Sequence, residues 1–178
     1  MYKRNLAVAL IALFSTSIAH AGVLIGHPRL TIPLPQGTTV VTGLLVAPQV
    51  VLQRCDGQPP ATLSNVTLDA IQHNALVLPL GTWCGMTFPA GAELSADLDV
   101  EDGTLWLEAD LPAFSVALPD ALIVSPQHAA STLELGTGAW INLLPPEVAE
   151  GADLALQPSS SLAQQIAAQI AAHVTLVP

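Results

Sequence analysis

The stretch from Leu94 to Leu111 constrains this chain more than any other. Leu94, Ala96, Leu98 and Val100 alternate with Ser95, Asp97, Asp99 and Glu101. After Asp102-Gly103, Leu105, Leu107, Ala109 and Leu111 alternate with Trp106, Glu108 and Asp110. Successive side chains of a strand point to opposite faces, so period-two alternation on two arms reads as a half-buried β-hairpin. Asp-Gly supplies the positive φ that a short hairpin loop needs. The apolar set is predicted to face a core and the carboxylates solvent.

Much of the remaining chain consists of short β-prone runs cut by proline and glycine. Thr38–Val46 and Val50–Arg54 are rich in β-branched residues and flank Pro48, which reads as a break or an edge position. Val23–Ile25, Leu30–Leu34, Thr62–Ile71, Ala75–Leu80, Thr82–Phe88, Ala113–Leu118, Ala121–Val124, Thr132–Leu135, Ala139–Leu144 and Leu154–Gln157 complete the strand candidates. One helix is expected, from about Leu162 to His173. Leu162, Ile166 and Ile170 form its apolar stripe, and Ser161 with Gln164 forms a capping box. So short a helix is marginal alone in water and needs a surface, here expected to be an open end or edge of the sheet. Together these elements predict an all-β fold, an antiparallel β-sandwich of immunoglobulin-like or similar type with one short C-terminal α-helix.

The first 21 residues predict the compartment. Lys3 and Arg4, an apolar run from Leu6 to Phe14, and Ala19-His20-Ala21 read as a secretory signal peptide with cleavage before Gly22. Residues 22–178 are then expected to form a single domain, periplasmic or extracellular. That mature chain keeps only Arg29 and Arg54 against all 14 acidic residues, a formal charge of −12 with histidine neutral. Two arginines supply no basic stripe, which excludes nucleic acid and argues against an anionic lipid surface. No run reaches about 18 uninterrupted apolar residues, so no membrane-spanning helix is expected after cleavage. A barrel with aromatic girdles is disfavoured, because the mature chain carries only Trp83, Phe88, Trp106, Phe114 and Trp140. Cys55 and Cys84 are expected to form a disulfide in an oxidising compartment.

For chemistry, the carboxylates come first. Asp97, Asp99, Glu101, Glu108 and Asp110 share the solvent side of the hairpin, where like charges on neighbouring strands repel and a hard cation such as Ca²⁺ would relieve them. Glycine falls one place too late for a helix–loop–helix calcium loop, and strand alternation runs through the segment, so a solvated strand face is the plainer reading. His27, His73, His128 and His173 show no metal-ligand spacing. Ser125-Pro126-Gln127-His128 reads as a loop, and no Gly-x-Ser-x-Gly elbow occurs. Gly136-Thr137-Gly138 is too short for a phosphate loop. Asn65-Val66-Thr67 matches a glycosylation acceptor, a tripeptide that also arises by chance. With no catalytic constellation and no cofactor motif, the expectation is a non-enzymatic exported binding or structural module of the bacterial envelope. Its partner would be another envelope protein or the chain itself. The alternatives are a calcium-binding module using the five carboxylates, and a hydrolase whose site assembles only in three dimensions.

Overall fold

A computed structural model describes residues 22–26, 39–69, 74–100, 103–125, 130–135, 143–144 and 153–177. The signal peptide, the strand candidate Leu30–Leu34, Glu101 and Asp102, and all histidines but His173 lie outside them. The described residues are mostly β with one short helix, and their strands form two sheets.

The larger sheet is built on β2 (Thr39–Arg54), which is 16 residues long. Along one edge it pairs with β3 (Ala61–Asp69). Along the other it pairs first with β6 (Ala92–Val100) and then with β5 (Gly81–Phe88). β7 (Gly103–Leu111) pairs with β6, and β8 (Phe114–Val124) with β5, all antiparallel. β10 (Leu154–Leu156) adds a parallel edge against β7. The smaller sheet runs β11 (Val174–Val177), β9 (Ala130–Leu135), β1 (Gly22–Gly26), β4 (Asn74–Leu78). Its β1–β9 pair is parallel, so both sheets are mixed where a purely antiparallel one was expected.

The expected hairpin is present as β6–β7, with Leu98 opposite Leu105 and Val100 opposite Gly103. Leu105, Leu107, Ala109 and Leu111 are buried and the residues between them exposed. Pro48 does not end a strand. β2 runs through it, but the buried positions switch from Leu45 and Ala47 to Val50 and Leu52. The ladder pairs Ala47 with Val66 and Gln49 with Ser64, leaving Pro48 opposite Asn65. Proline has no N–H to donate, and Asn65 sits at φ 54°, a left-handed conformation that asparagine tolerates better than most residues. β3 switches phase at the same level, from Leu63 to Val66. Two further interruptions lie beside this one: Pro89 to Gly91 between β5 and β6, and Pro112-Ala113 between β7 and β8. The breaks therefore form a line across the sheet, so that apolar side chains on both sides of it enter one core.

Phe88 and Phe114 face each other on that line, stacked with ring centroids 4.7 Å apart and planes 6° from parallel. Such a pair adds about 0.5–1.5 kcal/mol beyond the area it buries. The helix α1 (Ser161–Ala172) packs on β7 and β8 through Ala163, Ile166, Ala167 and Ile170, near the sheet edge that β10 covers. Its cap is Ser160 rather than Ser161. The Ser160 hydroxyl accepts from the Ala163 N–H at 3.1 Å, and Gln164 Nε2 donates to the Ser159 carbonyl at 3.5 Å, not to the cap residue. Among the described residues no helix is long and apolar enough to cross a membrane. Replacing Phe88 with alanine empties the core at the line of breaks. The expected loss is about 3–5 kcal/mol of stability, read from the urea midpoint at unchanged m-value.

Candidate functional site

The hairpin that was legible in the sequence also carries the most distinctive surface. On its outward face Glu93 stands opposite Asp110, Ser95 opposite Glu108, Asp97 opposite Trp106 and Asp99 opposite Thr104. Directly opposed residues have Cβ atoms about 4.5–5.5 Å apart, so the carboxylates of Glu93 and Asp110 are near neighbours. Asp99 accepts a long hydrogen bond from the Thr104 hydroxyl at 3.4 Å. Trp106, 41% exposed, lies among these acids. β2 flanks the face with Thr42, Leu44 and Val46 opposite Asp97, Ser95 and Glu93. Four of the five carboxylates expected together, Asp97, Asp99, Glu108 and Asp110, thus share one face. Glu93 joins them, and Glu101 lies outside the described residues. Alternation places Trp106 on this side as surely as it places the acids. The face is spread along two strands, and among the described residues no three His, Cys, Asp or Glu side chains converge to hold a metal ion.

A second constellation, not foreseen from the sequence, lies where β2 ends against β5. Cys55 and Cys84 form the expected disulfide, with Cα atoms 5.0 Å apart. The Cys55 N–H also donates to the Thr82 carbonyl at 3.0 Å. The bond closes a separation of 29 residues, which in the chain-entropy account stabilises by about 3–4 kcal/mol. Next to it Arg54 grips Asp56 with two hydrogen bonds, Nε to Oδ1 at 3.0 Å and Nη2 to Oδ2 at 2.9 Å. Its guanidinium lies 5.3 Å from the centre of the Trp83 ring. Trp83 is buried, and its indole N–H donates to the Pro79 carbonyl at 3.2 Å. Gly81 completes the corner at φ +153°, where a Cβ would come within 2.9 Å of Arg54 Nη1 and 3.1 Å of the Trp83 ring. The Arg54 hydrogen bonds, with help from the Gln58 N–H, hold the Asp56 carboxyl at about 2 against an ordinary 3.8. The same contact raises Arg54. Among the described residues Arg54 is the one lysine or arginine, and it is held in this corner.

His173 follows the last turn of α1, with Nδ1 3.1 Å from the Gln169 carbonyl oxygen, a bond that satisfies one of the helix's terminal carbonyls. Asn65, in the glycosylation tripeptide, is exposed at the break opposite Pro48. Ser125 follows β8, while His128 and the Gly136-Thr137-Gly138 loop lie outside the described residues. No protein-family model matches the chain, and no curated protein or solved structure matches it significantly.

Two outcomes follow from this geometry. Neutralising one member of the opposed pair, Asp110→Asn, is expected to stabilise the fold by about 0.2–1 kcal/mol in low salt. The gain should shrink as ionic strength rises in the same unfolding titration. Asp56 binds its proton more weakly folded than unfolded. Its contribution is therefore complete above its ordinary 3.8 and fades as pH falls toward 2. Asp56→Asn should melt below the parent chain at neutral pH and together with it at the acid end of that range.

Proposed function

We propose that this chain is an exported, non-enzymatic module of the bacterial cell envelope, periplasmic or extracellular, with a β-sandwich as its frame. It works by binding another envelope protein or itself. The observation that carries this reading is the outward face of β6–β7, where an exposed tryptophan is set among carboxylates on a broad strand surface. Large exposed aromatics serve surface recognition well, because they offer area at little entropic loss. A spread face suits a macromolecular contact better than the enclosure of a small substrate. The disulfide fits an oxidising compartment. The acids favour a partner with cationic groups and speed its approach.

The absence of lysine from the mature sequence makes a clean test possible. A carbodiimide couples carboxylates to amines, and the mature chain offers only its α-amino group. Coupling in the exported fraction should yield an adduct with a second protein. Peptide mapping should place the bond at Glu93, Asp97, Asp99, Glu108 or Asp110, and Trp106→Ala should lower the yield several-fold. A concentration-independent monomer with no mapped adduct overturns the reading. The calcium alternative is tested alongside it. A melting temperature unmoved by millimolar Ca²⁺ disposes of that reading, and a rise that Asp99→Asn abolishes would put it first.

A further inference from the structure

The Cys55–Cys84 bond lies in the open. Both cysteines are exposed, and the chain has no others. Cys84 is also the residue that both of its ladders skip. On one side Gln53 pairs with Gly85 and Arg54 with Trp83, so no residue of β2 stands opposite it. On the other side Gly85 pairs with Ala117 and Trp83 with Leu122, and residues 118–121 of β8 fall between those pairs. A bulged residue leaves the regular ladder, so the sulfur bridge is what ties Cys84 across the strands. Cys55 follows the last residue of β2 and opens the turn at Asp56.

The surroundings suit the approach of an anionic sulfur. The sequence is strongly acidic, yet β2 and β5 carry no acid and β8 only Asp120. Asp56, next to Cys55, is paired with Arg54. The groups beside Cys84 are uncharged. Gln53 donates to the Thr87 hydroxyl at 2.8 Å, Thr87 and Ser115 share a hydrogen bond at 2.9 Å, and Ile123, 52% exposed, stands opposite Thr82. A thiolate that free carboxylates would repel meets little opposition here.

The seam between β2 and β5 does not hang on this bond alone. The ladder from Val51 to Arg54, the Cys55 N–H bond to the Thr82 carbonyl and the stacking of Arg54 on buried Trp83 all involve other atoms. They keep the two cysteines side by side whether or not their sulfurs are joined.

We propose that Cys55–Cys84 is a thiol–disulfide exchange site, opened and closed by an exported dithiol oxidoreductase while the chain stays folded. Exposed disulfides tend to be the reducible ones. A thiolate of the dithiol attacks one sulfur, the Cys55–Cys84 bond breaks, and the other sulfur leaves as a thiolate and takes a proton. The second thiol of the dithiol then gives up its proton and displaces the chain from the mixed disulfide. Two electrons pass to the chain, which ends with two thiols, and the dithiol ends as a disulfide. The reverse sequence closes the bond.

The test reduces the full oxidised chain with dithiothreitol in native buffer and counts thiols by alkylation and mass. Both thiols should appear at a rate within an order of magnitude of that for oxidised glutathione in the same buffer. Urea below the unfolding transition should leave that rate unchanged. The near-ultraviolet circular dichroism of the reduced chain should match that of the oxidised one, and oxidised glutathione should restore the bond. As a second arm, a C-x-x-C oxidoreductase with serine in place of its second cysteine should be captured by the folded chain as a mixed disulfide on Cys55 or Cys84. Thiols that appear only as urea reaches the transition, capture by the unfolded chain alone, or loss of the near-ultraviolet signal on reduction each overturn the proposal, since the bond would then be a structural tie that opens only with the fold.

Discussion

Strand β2 carries ladder bonds on both edges, and β3, β5 and β6 take their positions from it. A ladder demands an N–H and a carbonyl at regular intervals, and Pro48 breaks that demand in the middle. What the structure does with the defect shapes the rest of the molecule. β3 answers with a left-handed Asn65, and the two longer paths beside β2 answer with Pro89 to Gly91 and Pro112-Ala113. Because the neighbours break at the same level, the switch of buried positions in β2 meets matching switches in β3 and between β7 and β8. Leu45, Leu52, Phe88 and Phe114 can then share one core.

The two faces of the β6–β7 hairpin pull in opposite directions. Its inner side buries Leu94, Leu98, Leu105, Leu107 and Leu111, each worth about 1.5–3 kcal/mol when fully removed from water. Its outer side crowds Glu93, Asp97, Glu108 and Asp110 together with no described cation among them. The inner gain exceeds the outer repulsion several-fold, so the strands tolerate the charge. A surface that the fold tolerates but does not need is open to serve binding.

Legibility in the sequence followed contrast. Carboxylates against leucines told the two sides of β6 and β7 apart residue by residue, and Trp106 fell on the outer side with them. The spacing of Leu162, Ile166 and Ile170 marked α1, but the cap expected at Ser161 falls one residue earlier. The cap is set by where the backbone turns, and Ser160 is in extended conformation while Ser161 already belongs to the helix. The parallel pairing of β1 with β9 left no trace, because short apolar strands encode neither a partner nor a direction. β11 was missed for the same reason. Pro48 does mark a discontinuity, yet a ladder can skip one position and continue when its neighbour skips too. The corner of Arg54, Asp56, Gly81 and Trp83 was invisible because it joins residues far apart in sequence. Its only local sign was a rare cation beside a cysteine.

That rare cation has a practical bearing on how the folded chain meets proteases. Trypsin cuts after lysine or arginine, and among the described residues it has one bond to attack, between Arg54 and Cys55. A guanidinium stacked on Trp83 and held twice by Asp56 cannot enter a protease's specificity pocket while the corner stays closed. Cleavage at this bond therefore waits for a local opening, and its rate reports how often the seam between β2 and β5 comes apart.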